Sequence, residues 1–93
     1  MHLISYDLKK TKNYPKLYQC LNQWRGHRLL ESLWIVANLR GPCGEIRKIL
    51  AAHIDSDDAL VVIQLPRGID WAAMRSQPGG TAFLHTLGPV RAA

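Results

Sequence analysis

His27-Arg28-Leu29-Leu30-Glu31-Ser32-Leu33-Trp34-Ile35-Val36-Ala37-Asn38 is the stretch on which the fold turns. It reads as β-structure, with Leu29-Leu30 in a first short piece and Leu33 to Ala37 in a second. Glu31-Ser32 separates them as a turn or a bulge, so one long bent strand and a tight hairpin both satisfy the pattern. Helices flank this stretch. Upstream, Tyr14, Leu17, Tyr18 and Leu21 fall at i, i+3, i+4 and i+7, an amphipathic helix opened by Pro15 and stopped by Gly26. Downstream, Gly41-Pro42 and Gly44 break the chain, and Glu45 to Ile54 is helical, with Ile46, Ile49, Leu50, His53 and Ile54 on one face. Further out lie two more strands. His2 to Leu8 opens the chain and passes into the polar loop Lys9 to Asn13. Ala59 to Leu65 follows the turn Asp55-Ser56-Asp57-Asp58 and is closed by Pro66.

The expected fold is therefore α+β: a ferredoxin-like βαββαβ sandwich with an antiparallel sheet over residues 1–66. Residues 67–93 are expected to form a short helical C-terminal extension packed on the same domain. In it Asp70 caps a helix from Trp71 to Arg75, Ser76 to Gly80 is a loop, and Thr81 caps a helix from Ala82 to Leu87 that Gly88 ends. Leu33 to Ala37 and Ala59 to Ile63 are apolar on both alternating faces, whereas a strand wetted on one side alternates. Both main helices of such a sandwich cover the same face. The other face needs a second copy of the protein or a private lid of Trp71, Met74, Phe83, Leu84 and Leu87. A homodimer packed through the sheets is the favoured expectation.

Composition narrows the class. Twelve Lys+Arg against seven Asp+Glu give a net charge of +5. Residues 1–50 hold nine basic and three acidic side chains, and residues 51–93 three and four, so the basic character belongs to the first half. That asymmetry points to nucleic acid or another polyanion. The longest apolar runs are five residues, far short of a membrane span. The opening Met-His-Leu-Ile-Ser-Tyr-Asp lacks the basic and apolar regions of a signal peptide. Two cysteines without an export signal make a disulfide scaffold unexpected and a cytoplasmic location expected.

The strand Ile4-Ser5-Tyr6-Asp7 before a Lys-rich loop, the strand Glu31-Ser32-Leu33-Trp34-Ile35-Val36 and the strand Asp57-Asp58-Ala59-Leu60-Val61-Val62-Ile63 after an acidic turn together resemble CRISPR-associated protein two, the small partner of the spacer integrase. The similarity covers residues 1–65 and is closest to the SinR-like branch of that superfamily; VapD-type toxin ribonucleases share the scaffold. The resemblance implies a ferredoxin-like homodimer in which the strand-end aspartate, here Asp7, lies near the two-fold axis. There a pair of them would hold a divalent metal, Mg²⁺ or Mn²⁺, for cleaving RNA or DNA. Two departures stand out. The family often adds a fifth strand that crosses to the partner, whereas Pro66, Gly68 and the residues after them do not read as a strand. The family's Gln in the middle motif is Glu31 here.

The residues themselves are consistent with that chemistry. Mg²⁺ takes one or two carboxylates with waters and substrate phosphate, and a two-fold axis supplies the second Asp7. The metal would polarise a phosphoryl oxygen and activate water. The plainer reading of Asp7 is a cap on the following loop. Lys9, Lys10, Lys12 and Lys16 form the densest basic cluster, and Arg25 and Arg28 flank Gly26; these six are the expected nucleic-acid contacts, or else a solvated face. His27 and His53 are candidate proton carriers by their ordinary pKa, but neither sits in a recognisable spacing, and His53 reads as a satisfied, partly buried histidine; His2 and His85 carry no signal. Cys20 and Cys43 read as small apolar fillers. Tyr14, Tyr18 and Trp34 read as core, and Trp24 as core or as a platform for an unpaired base. The leading expectation is a nucleic-acid-binding homodimer acting as a metal-dependent endoribonuclease through Asp7 of both chains. The alternatives are a non-catalytic nucleic-acid scaffold or toxin–antitoxin component, and a regulatory protein-interaction dimer.

Overall fold

A computed structural model describes residues 1–9, 14–66 and 68–87. The chain is α+β. Strands β1 (His2–Asp7), β2 (His27–Leu30), β3 (Leu33–Val36) and β4 (Ala59–Gln64) form one antiparallel sheet in the order β2-β3-β1-β4. Helices α1 (Pro15–Gln23), α2 (Cys43–Ala51) and α3 (Pro78–Thr86) complete it. No helix among the described residues is long and apolar enough to cross a membrane.

The central strand sorts the two faces of the sheet. His2, Ile4 and Tyr6 of β1 are buried towards α1 and α2, while Leu3, Ser5 and Asp7 point the other way, as the two-residue period of a strand requires. On the helical side Ile4, Tyr6, Trp34 and Val36 meet Leu17 and Leu21 of α1 and Ile46 and Leu50 of α2. Each such side chain contributes about 1.5–3 kcal/mol when fully buried. Two aromatic polar groups inside this core are matched: Trp34 Nε1–H donates to the Tyr6 hydroxyl at 3.1 Å, which donates to the Glu31 carbonyl at 3.2 Å.

Of the two readings of residues 27–38, the structure adopts the hairpin. β2 and β3 pair directly, and Glu31-Ser32 forms the turn. The register shifts between Arg28 and Leu30, so β2 also carries a bulge at Leu29. The Ser32 carbonyl accepts the Tyr6 N–H at 3.1 Å, which ties the turn to the central strand.

Gly26 ends α1 by a route different from the expected one. The left-handed residue is Arg25 (φ 57°), not the glycine. The N–H of Arg25 donates to the Asn22 carbonyl at 2.9 Å and that of Gly26 to the Leu21 carbonyl at 2.8 Å, the paired bonds of a Schellman closure. Gly26 is needed for proximity: a Cβ there would stand 2.9 Å from the Leu21 carbonyl oxygen and 3.1 Å from Trp34 Cε3. Helix α2 starts two residues before the expected Glu45, because Pro42 sits at its N-cap in an extended conformation. It also ends early. His53 and Ile54 donate their N–H groups three residues back, to Leu50 and Ala51, which tightens the chain into a turn.

The C-terminal segment departs most from expectation. Residues 71–75 are not helical, and Arg75 has φ 57°. Five residues are too few to nucleate a helix without strong packing, and Ala72, Ala73 and Met74 are all exposed. Instead α3 begins at Pro78, inside the stretch expected to be a loop, because proline's fixed φ suits the first helical position. Thr81 does not cap it; its hydroxyl donates back to the Gln77 carbonyl at 3.1 Å. Gly88, the expected end signal, lies outside the described residues. The segment does form a partial private lid. Leu84 is buried with Leu29 and Ile35, and Leu3, Leu33, Leu65, Trp71, Phe83 and Leu87 pack around them. The lid covers the β2–β3 half of the sheet. On the β4 side Val61 and Ile63 remain 52% and 47% exposed; Met74, expected in the lid, is 74% exposed.

Candidate functional site

Asp7 is the last residue of β1. Its side chain is exposed on the face turned away from α1 and α2. Its Oδ2 accepts a hydrogen bond from Lys9 Nζ at 3.0 Å, an exposed ion pair. The Lys9 backbone N–H in turn donates to Asp58 Oδ1 at 2.8 Å, and Asp58 Oδ2 accepts the Asp55 N–H at 2.8 Å. The turn before β4 is thereby clasped to the end of β1, a use of Asp side chains that follows from their fit to nearby backbone donors. The buried Tyr14, which leads into α1, donates its hydroxyl to Asp55 Oδ2 at 3.3 Å. Burial first, then the carboxylates of Asp58 and Asp55, push that phenol far above its ordinary range. The Asp7 carboxylate raises the pKa of Lys9, chiefly through their hydrogen bond, so this lysine stays cationic.

This geometry can be held against the divalent metal that the resemblance implies. The Asp7 carboxylate already faces an ammonium group of its own chain. Among the described residues no group of three or more His, Cys, Asp or Glu side chains is arranged to hold a metal ion. The shared Mg²⁺ or Mn²⁺ site that the resemblance implies at Asp7 needs the Lys9 ammonium to leave and the Asp7 carboxylate of a second copy to arrive. In this arrangement the residues of one chain do not fit the ion.

The basic residues separate into different roles. Lys9 lies beside Asp7. Lys16 is exposed in the first turn of α1, and Arg25 is exposed just beyond its end. Lys10 and Lys12 lie outside the described residues. Arg28 is committed within the fold: its guanidinium lies 5.0 Å from the Tyr18 ring centroid and 5.6 Å from that of Trp34, and its Nε donates to the Glu31 carbonyl at 3.0 Å. It braces the β2–β3 turn. Three further cations lie outside the sequence clusters. Arg40, before α2, and Arg47 and Lys48, on α2, are all exposed. The signal was in the helix period, since Arg47 and Lys48 fall off the buried Ile46–Leu50 stripe.

The remaining candidates are accounted for by packing. His27 stacks on Phe83 at 4.3 Å between centroids, and His85 meets the edge of Trp71 at 5.4 Å. His53 is half-buried in the turn after α2. Cys20 and Cys43 are free thiols, and burial raises the pKa of Cys20. Trp34 is core, and Trp24 packs half-buried against the core. No protein-family model matches the chain, and no curated protein or solved structure matches it either.

Proposed function

We propose that this chain is a nucleic-acid-binding protein that acts as a homodimer and engages the phosphate backbone through its helical layer. We read its βαββαβ order and its β2-β3-β1-β4 sheet as the ferredoxin-like frame of the superfamily that its strand motifs resemble. The observation that carries the reading is the segregation of charge. Lys16, Arg47 and Lys48 lie on α1 and α2, with Arg25 and Arg40 beside the helix ends, and all five are exposed. Glu45 is the one acidic side chain of those helices; Asp7, Glu31, Asp55, Asp57, Asp58 and Asp70 lie at strand ends, in turns or in the C-terminal segment. A predominantly cationic layer concentrates polyanions by long-range attraction.

Binding without hydrolysis is the form of this reading that the Asp7–Lys9 pair favours, because the carboxylate has its counter-charge already. The test is anisotropy of labelled single- and double-stranded RNA and DNA over a salt series, with a cleavage assay in Mg²⁺, Mn²⁺ and EDTA alongside. The expected result is binding whose log K falls linearly with log salt, by roughly 0.9 per phosphate contacted on duplex DNA, with no product. Absence of binding to all four polymers at low salt overturns the proposal. Metal-dependent product that disappears in Asp7→Asn would restore the endoribonuclease reading, with Asp7 of both chains on the metal.

A further inference from the structure

The two edges of the sheet are treated differently. On the β2 edge the bulge at Leu29 interrupts the ladder, and the N–H of Gln77, just ahead of α3, donates to the Leu29 carbonyl at 2.8 Å. That edge is irregular and capped, the usual protection of an edge strand. Among the described residues the β4 edge has neither device. Its sequence Ala-Leu-Val-Val-Ile-Gln holds no charge and no proline, and its pairing with β1 runs unbroken from Ala59 to Gln64.

The register tells which backbone groups of β4 are free of β1. Leu65 N–H donates to the Met1 carbonyl at 2.7 Å. Hydrogen-bonded pairs alternate along an antiparallel ladder, so Ile63, Val61 and Ala59 bond inward to Leu3, Ser5 and Asp7. The N–H and C=O groups of Leu60, Val62 and Gln64 therefore point outward along this edge, where no described residue pairs with them.

We infer that β4 pairs antiparallel with β4 of a second copy about a two-fold axis at Val62, joining the two sheets into one of eight strands. The inference rests on the homodimer part of the proposed function and names its interface. The outward groups are self-complementary about that axis. Val62 meets the partner's Val62, Leu60 meets the partner's Gln64, and Gln64 meets the partner's Leu60. All six outward groups of each strand are then matched. Centring the axis on Gln64 would oppose Val62 to Pro66, which lacks an N–H. Centring it on Leu60 would oppose Val62 to Asp58, inside the turn. The Val62 axis also sets Val61 beside the partner's Ile63 in a non-hydrogen-bonded pair, where side chains approach most closely. Both residues are half exposed in the single chain.

Charge favours a second copy as the occupant. A chain of net charge +5 repels its twin, so two copies must meet where neither is charged, and Ala59–Gln64 is such a surface. The strip is six residues, about 20 Å, long. It is small against the roughly 800 Å² per partner of a stable interface, so the dimer dissociates on dilution.

The experiment is sedimentation velocity across a dilution series, with amide exchange measured at high and low concentration. The wild type is expected to pass from dimer to monomer, with the Leu60, Val62 and Gln64 amides slowing at least tenfold in the dimer. Val62→Pro, which removes the donor at the axis on an edge that tolerates proline, and Val61→Lys/Ile63→Lys, which sets like charges across it, should each give monomers. Circular dichroism confirms that both remain folded. A dimer that persists in Val62→Pro but is lost in the lysine variant means pairing face to face through the sheets; that overturns edge pairing and leaves the homodimer standing. A wild type that is monomeric throughout overturns both, without touching nucleic-acid binding.

Discussion

His2 is the residue whose surroundings least suit its chemistry. It is 2% exposed, and among the described residues neither ring nitrogen has a hydrogen-bond partner. Burial first, and the nearby N-terminal ammonium second, lower its pKa below the ordinary value of 6.5. The unfolded chain therefore takes up a proton at a pH where the folded chain resists it. By linkage, the contribution of His2 to stability is intact above about pH 6.5 and shrinks as pH falls through that value towards the lowered one. His2→Phe keeps an aromatic ring and removes the titration. Urea unfolding at pH 7, 6 and 5 should show a smaller loss of stability on acidification in the variant than in the wild type. Equal losses would mean that His2 titrates alike in both states. Arg28 teaches the complementary lesson. Beside Gly26 and Arg25 it resembles a phosphate ligand, yet its planar guanidinium lies over Tyr18 and Trp34, a use of arginine that sequence spacing does not distinguish from anion binding.

Among the elements, α3 depends on close approach to β2. Gly80 is buried, and a Cβ there would stand 2.9 Å from Leu29 Cα and would run into the Arg28 carbonyl. Both are backbone atoms and cannot turn aside. Gly80→Ala gains helix propensity, about 1 kcal/mol, but must lift α3 off the sheet and loosen Leu84 from Leu29 and Ile35. Overpacking of this kind costs about 1–3 kcal/mol, so the variant should be net destabilised, by up to about 2 kcal/mol in denaturant titration, whereas Gly79→Ala, with nothing within 4 Å of its Cβ, should not. This contact also explains what the sequence withheld. Strands and helices with a full period, such as Tyr14–Leu21 and Ala59–Leu65, were legible within a residue or two because their own apolar spacing specifies them. In α3 two glycines following a proline read as a loop, whereas Pro78 at the first helical position and the packing of Leu84 on Leu29 and Ile35 make them the opening of a helix. Residues 71–75 err in the opposite direction: a local cap signal at Asp70 cannot outweigh the absence of an apolar stripe to bury. For the site, Asp7 and Lys9 were visible as neighbours in sequence. The clasp through Asp58 was not, since it joins residues 49 positions apart.

At the scale of the whole molecule, the uncharged β4 edge lies apart from the cations of α1 and α2. Among the described residues, five of the seven exposed cations lie on or beside α1 and α2, the β4 edge is uncharged, and acidic turns gather at the Asp7 end of β1. Such a layout lets one copy meet another through β4 while both helical layers stay open, so two basic surfaces would sit on one side of a continuous sheet. It also separates binding from folding, because the cations of α2 carry no part of the core. Lys48 makes only an exposed 3.9 Å pair with Glu45, and pairs of that kind contribute little to stability. Arg47→Gln together with Lys48→Gln should therefore leave the unfolding midpoint within about 0.5 kcal/mol of wild type, the range usual for surface changes. The same variant should weaken binding to duplex DNA at low salt and reduce the slope of log K against log salt by roughly 1.8 if both residues meet phosphates. Reduced affinity with an unchanged slope would place the loss outside the phosphate contacts. An unchanged affinity would move the nucleic-acid surface away from α2, to the Lys9 and Lys16 end of the molecule.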